Sequence, residues 1–206
     1  MWCRLRKIHH PLHLKKGFMT KRIGKGVSRI RRSKMPVYLK EPHEYEKLAQ
    51  FEKVLIIPCR FCPAASLAIS KNEHYFRFLH HLLQTAAYKR YIATMKAKLI
   101  KRGVQADVFK SRLLHQFVVC MWTSWRRTKL RKRAKMYDAL VVLGCEAAVQ
   151  TILDSLGTVS IPVIQGMRTE GIMSVLPQFQ WPDRVTLQIN SITPLLHNKE
   201  EPWMHL

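Results

Sequence analysis

Four cysteines carry the spacing in this chain that could do chemistry. Cys59 and Cys62 form a Cys-x-x-Cys turn, Val54-Leu55-Ile56-Ile57-Pro58-Cys59-Arg60-Phe61-Cys62-Pro63. Cys145 closes a second apolar run, Ala139-Leu140-Val141-Val142-Leu143-Gly144-Cys145. Cys120 lies between them. Two thiolates on one turn can bind a single metal ion or a cluster, and four converging thiolates suit Zn²⁺ and [4Fe–4S] equally. The turn by itself also fits a redox dithiol that follows a strand and opens a helix, or two small core residues. Cys145 lacks the second glycine of a nucleophile elbow and has no evident histidine partner, so a catalytic cysteine is not indicated. Cys120 alone would read as a core cysteine. The set of four makes Cys59, Cys62, Cys120 and Cys145 candidate metal ligands, and Cys3 is set aside. Five cysteines with no secretion signal point to metal or redox chemistry over disulfides.

Both runs read as buried parallel strands, each followed by a helical pattern. Such strands end at the sheet edge where open α/β folds bind ligands, and where helix N-termini favour thiolate. Pro63 suits the first turn of the helix after Cys62. The stretch from Glu73 to Arg102 repeats Phe76, Leu79, Leu83, Ala86, Ala87, Tyr91 and Met95 at helical spacing, with Gly103 as its stop. A polar helix is expected over Glu41–Phe51 and a short strand at Asp107-Val108-Phe109. Leu113–Val119 is ambiguous. A basic helix is expected from Trp122 to Lys135, a strand over Tyr137–Leu143, and a helix from Glu146 to Leu156 stopped by Gly157. Val159–Ile164 reads as a further strand, and Val185–Ile189 as an edge strand or extended arm. The order of elements predicts an α/β fold with an open, mostly parallel, three-layer Rossmann-like sheet and a flexible basic N-terminal arm. Residues 1–40 are expected to be the arm, 41–195 the α/β metal-binding domain and 196–206 a C-terminal tail.

The 206 residues carry a formal charge of +23, unevenly distributed. Residues 1–40 hold 13 Lys/Arg and no acid, and residues 77–135 hold 16 against Asp107 alone. Residues 136–206 hold 3 Lys/Arg and 7 acids. Such a field suits an acidic protein, a nucleic acid or an anionic membrane surface, and equally a solvated face. Arg126-Arg127-Thr128-Lys129-Leu130-Arg131-Lys132-Arg133, beside Trp122 and Trp125, has the composition of a nucleic-acid patch. Its bland alternative is a solvated helix face with the tryptophans turned inward. His9, His10 and His13 sit in the arm and read as solvent-exposed. No apolar run approaches the roughly 18 residues of a membrane span, and no signal-peptide core is visible. A cytoplasmic location is expected.

The cysteine pattern and the segment Tyr137-Asp138-Ala139-Leu140-Val141-Val142-Leu143-Gly144-Cys145-Glu146-Ala147-Ala148-Val149-Gln150 resemble the methylenetetrahydrofolate reductase C-terminal-domain family. That family includes the small cysteine-rich partner subunit of bacterial methylenetetrahydrofolate reductases. The resemblance spans roughly residues 50–170 and is most specific around Cys145. It implies a four-cysteine centre at Cys59, Cys62, Cys120 and Cys145; a [4Fe–4S] cluster is expected in preference to Zn²⁺ because thiolates converging at a sheet edge suit electron exchange. It also implies a non-catalytic accessory role, supporting electron transfer to a flavin-dependent one-carbon reductase or a related redox subunit. The alternative, from another class, is a basic nucleic-acid-binding protein with a structural four-cysteine zinc site.

Overall fold

Two parallel strands with no polar side chain in their buried stretches form the centre of the domain. β2 (Lys53–Pro58) and β5 (Ala139–Leu143) lie side by side, pairing Val54 with Ala139 and Pro58 with Leu143. Val54 to Ile57 and Ala139 to Leu143 are all fully buried. Successive strand residues point to opposite faces, so both faces of this sheet are covered. This computed structural model describes residues 37–41, 46–77, 85–110, 118–195 and 204–205. Residues 1–36 of the expected arm, with its histidines and Cys3, lie outside them.

The first sheet has the order β4-β2-β5-β6-β9, where β4 is Gln105–Val108, β6 is Val163–Gln165 and β9 is Met204–His205. β4, β2, β5 and β6 are parallel, and β9 adds antiparallel at the edge. From β2 the chain crosses through α1 (Cys62–Ser70) and α2 (Ala86–Lys101) to β4 on one side. It returns through α3 (Ser124–Ala134) to β5 on the other side of β2, then runs on through α4 (Glu146–Leu156) to β6. The direction of winding therefore reverses between β2 and β5. Outside the carboxyl ends of the strands flanking such a reversal, connections leave in opposite directions and open a crevice.

Helix boundaries follow local chemistry. Thr85 accepts the Tyr88 N–H at 3.2 Å and caps α2. Gly103 and Gly157 take positive φ, 83° and 61°, where α2 and α4 end. The basic stretch after Trp122 is helical, as expected, over Ser124–Ala134. The polar segment before β2 is a 3-10 helix over Glu46–Gln50. The helical stretch expected from Glu73, for which one break was allowed, starts later: Phe76–Arg77 form strand β3, and α2 begins at Ala86. Among the described residues no helix is long and apolar enough to cross a membrane.

A second, antiparallel sheet departs from the expected architecture. Its order is β1-β7-β8-β3, with β1 over Val37–Lys40, β7 over Arg168–Gln180 and β8 over Arg184–Pro194. The mixed α/β fold therefore has a four-stranded parallel core with an antiparallel edge strand, plus a separate antiparallel sheet. The last residues of the expected arm, Val37–Lys40, are a strand on β7, and Met204–His205 of the expected tail pair with β6. Val185–Ile189 is part of the long hairpin partner of β7 and not an isolated arm. A period-2 signal was present in Met173, Val175, Pro177 and Phe179, which share one face of β7.

Candidate metal centre

The winding reversal sets the positions of three cysteines. Cys59 follows the last residue of β2, and Cys62 is the first residue of α1. Cys145 follows Gly144 at the end of β5 and is the N-cap residue of α4. The Cys59 N–H donates to the Leu143 carbonyl at 2.9 Å, extending the β2–β5 ladder by one bond into the turn. Neither α1 nor α4 has a side-chain cap on its N-terminus. Their first N–H groups lie at the end where a helix favours negative charge.

Cys59, Cys62 and Cys145 are buried, at 3%, 8% and 8% exposure, and all are free thiols. The Cys62 thiol hydrogen-bonds the Cys145 sulfur. That bond, with the N–H groups of Ala148 and Ala147, holds the Cys145 thiol well below its ordinary range. The same bond, reinforced by burial, pushes the Cys62 thiol far up, against a smaller opposing pull from the Val37 N–H of β1. Within this pair Cys145 is the anionic member, because two helix N–H groups face it. Burial raises the Cys59 thiol to about 11, while the N–H groups of Val119 and Phe61 act in the opposite direction.

Cys120 lies in a 3-10 helix, Val119–Met121, and is exposed. Its charge couples to Cys59 and Cys145. The structure thus brings Cys59, Cys62 and Cys145 into one buried group and sets Cys120 at its solvent side. As the side chains stand, no three Cys, His, Asp or Glu residues among those described have the arrangement of a single-ion site. Zn–S bonds of about 2.3 Å in a tetrahedron would draw the sulfurs to within about 4 Å of one another.

Three further residue groups were not marked out in the sequence. Ser66, one helical turn beyond Cys62, accepts the Leu39 N–H at 2.9 Å and faces the Cys62 and Val37 carbonyls at 3.0 and 3.3 Å. It ties β1 over the start of α1. Its signal was the i, i+4 spacing from Cys62. Tyr88, from α2, donates its hydroxyl to the Leu143 carbonyl at 3.4 Å, and burial beside Cys59 drives its ionisation well above the ordinary range. Tyr75 is likewise pushed up to about 12, by burial first and then by Cys62 and Cys59. Only the fold places these tyrosines against the cysteines.

The basic helix is partly structural. Arg126 is buried at 2% exposure, its guanidinium 4.1 Å from the centroid of Phe109 and 5.2 Å from that of Trp122, and it donates to the Lys110 carbonyl. Arg127 donates to the Trp122 carbonyl, Arg131 to the Ser155 carbonyl and Arg133 to the Tyr137 hydroxyl. Trp122 packs inward, as the bland alternative expects, whereas Trp125 is 61% exposed. No family model matches this chain, and neither the curated proteins nor the solved structures contain a match to it.

Proposed function

We propose that Cys59, Cys62, Cys120 and Cys145 hold a [4Fe–4S] cluster, in preference to Zn²⁺, and that the protein is a non-catalytic electron-transfer subunit. The observation that carries this reading is the buried group of free thiols at the crevice between β2 and β5, with a fourth at its solvent side. Strand order and fully covered sheet faces support a Rossmann-like, three-layer arrangement, in which ligands bind at that crevice. A cluster would supply one-electron transfer when bound. The chain's own contribution is to orient and desolvate. The α4 N-terminus favours thiolate at Cys145, and the N–H groups of Val119 and Phe61 favour it at Cys59. Tyr88 and the apolar ends of β2 and β5 keep water from the buried side.

The resemblance to the methylenetetrahydrofolate reductase C-terminal-domain family supports a flavin-dependent one-carbon reductase as the partner. The nucleic-acid reading with a structural zinc site is weakened by the four α3 arginines committed to contacts within the domain. Purification without oxygen, followed by iron, sulfide and zinc analysis, tests the reading. The wild type is expected to be brown with broad visible absorption, and Cys145→Ser to lose most of its colour and iron. A colourless protein with one zinc would replace the cluster with a structural site, and the absence of both metals would remove the centre altogether.

A further inference from the structure

By spacing, Cys59 and Cys62 are the dithiol of this chain. The structure pairs the sulfurs differently. The Cys59 sulfur accepts the N–H groups of Val119 and Phe61. The Cys62 thiol hydrogen-bonds the sulfur of Cys145, on the other turn. These two turns leave neighbouring strands. β2 and β5 pair as far as Pro58 and Leu143, and the Cys59 N–H adds one more bond to the Leu143 carbonyl. Gly144 lets the turns touch, since a Cβ there would stand 3.3 Å from that of Cys59. Cys62 then opens α1 and Cys145 is the N-cap residue of α4, so the starts of both helices meet at this pair of sulfurs.

Both thiols are free. Two thiols in hydrogen-bond contact need only a short further approach to form a disulfide, whose bond is about 2.05 Å long. Access favours the same pair. Cys62 and Cys145 each keep 8% of their surface open, against 3% for Cys59, which is enough for a small oxidant and too little for a bulky one.

We propose that Cys62 and Cys145 are a peroxide-oxidisable pair that closes to a disulfide and so switches the four-cysteine site off. The pairing stands on the contact between the two sulfurs, and the switch rests on the four-cysteine reading of the site. The oxidant is a hydroperoxide, in the simplest case hydrogen peroxide. One sulfur of the pair, as thiolate, attacks a peroxide oxygen. The O–O bond breaks, and hydroxide leaves and takes up that thiol's proton as water. The second sulfur attacks the resulting sulfenic acid. The S–S bond forms, the S–O bond breaks, and a second water leaves with the second thiol's proton. Two thiols thus pass two electrons to one peroxide, and the product is the same whichever sulfur begins. A dithiol reductant reverses the bond by exchange. The disulfide leaves only Cys59 and Cys120 as thiolate donors, too few for a four-thiolate centre.

The test uses the full chain, purified without oxygen and stripped of metal by a chelator under reducing conditions. One equivalent of hydrogen peroxide is added. Peptide mapping without reduction is expected to find Cys62 joined to Cys145, and dithiothreitol to undo the link. In the variant Cys3→Ser/Cys120→Ser, three cysteines remain of the chain's five, and two of the three thiols should be lost. Cys59→Ala should keep the link and Cys62→Ala should abolish it. A bond between Cys59 and Cys62, or no link within the chain, would overturn the proposal.

Reloading with iron and sulfide, or with zinc, reads the switch. The oxidised wild type is expected to take up less than about a tenth of the metal that the reduced form takes up, and to recover after dithiothreitol. Equal loading of the two forms, with the link verified, would overturn the switch. A chain that forms the link but takes up no metal in either form keeps the pair and removes the centre. A chain that loads metal but never forms the link keeps the centre and removes the pair.

Discussion

Cys59 and Gly144 face each other across the ends of adjacent parallel strands, so closely that a Cβ on Gly144 would stand 3.3 Å from the Cys59 Cβ. The same Cβ would meet the Ala148 Cβ at 2.6 Å, a separation that requires α4 or the β5 turn to shift. Gly144 therefore lets the first turn of α4 approach the sheet and leaves Cys59 in its place. Gly144→Ala is expected to cost about 1–3 kcal/mol by overpacking and to reduce bound metal. The double variant Gly144→Ala/Ala148→Gly removes the worse contact and should recover metal content, while keeping a cost of about 1 kcal/mol for glycine in a helix. Denaturant unfolding and metal analysis read both effects. A Gly144→Ala protein with wild-type stability and full metal would show that the approach is looser than described.

The buried Cys59 thiol gives the metal-free protein an alkaline limit. Its ionisation rises from an ordinary 9.0 to about 11, chiefly because burial penalises thiolate. A folded value above the unfolded one means stability is full below pH 9 and is lost as pH rises through about 11. A rise of that size corresponds to about 3 kcal/mol. Tyr75, raised from 10.0 to about 12 by burial, adds a loss of the same sign at higher pH. Chelator-treated wild type should therefore lose stability steeply across this window, and Cys59→Ala should lose less. Parallel curves for the two proteins would mean that the Cys59 thiol does not ionise differently in the unfolded chain.

Ser66 should be needed for the centre although it is no ligand. Ser66→Ala leaves the buried Leu39 N–H without its acceptor, at a cost of about 1–3 kcal/mol. β1 also presents the Val37 N–H to the Cys62 sulfur, so loosening β1 should lower metal retention. Ser66→Cys keeps a weak acceptor of similar size and is expected to fall between Ala and the wild type. Metal release to a competing chelator ranks the three proteins. Identical release rates would confine Ser66 to holding β1.

By itself the sequence determined the strands that end in Cys59 and Cys145, because an unbroken apolar run is required wherever both faces of a strand are covered. It determined the stops of α2 and α4, since only glycine takes positive φ there at little cost. It also determined that α3 is a basic helix, through local propensity and the lack of breakers. The tertiary structure alone decided that β2 and β5 are neighbours, although Val54 and its partner Ala139 are 85 positions apart in the chain and meet only because β4 is wound to the far side of β2. It decided that Cys120 is exposed beside three buried cysteines, and that Arg126 lies inward on Phe109 and Trp122 while Trp125 faces solvent. It also decided that β1 and the β7–β8 hairpin build a second sheet. The physical reason is common to all of these. Periodicity and breakers record the environment that each residue needs, and many packings supply the same environment. Which distant segments supply it depends on the direction of each crossover and on the pairing register, and neither leaves a local trace in the chain.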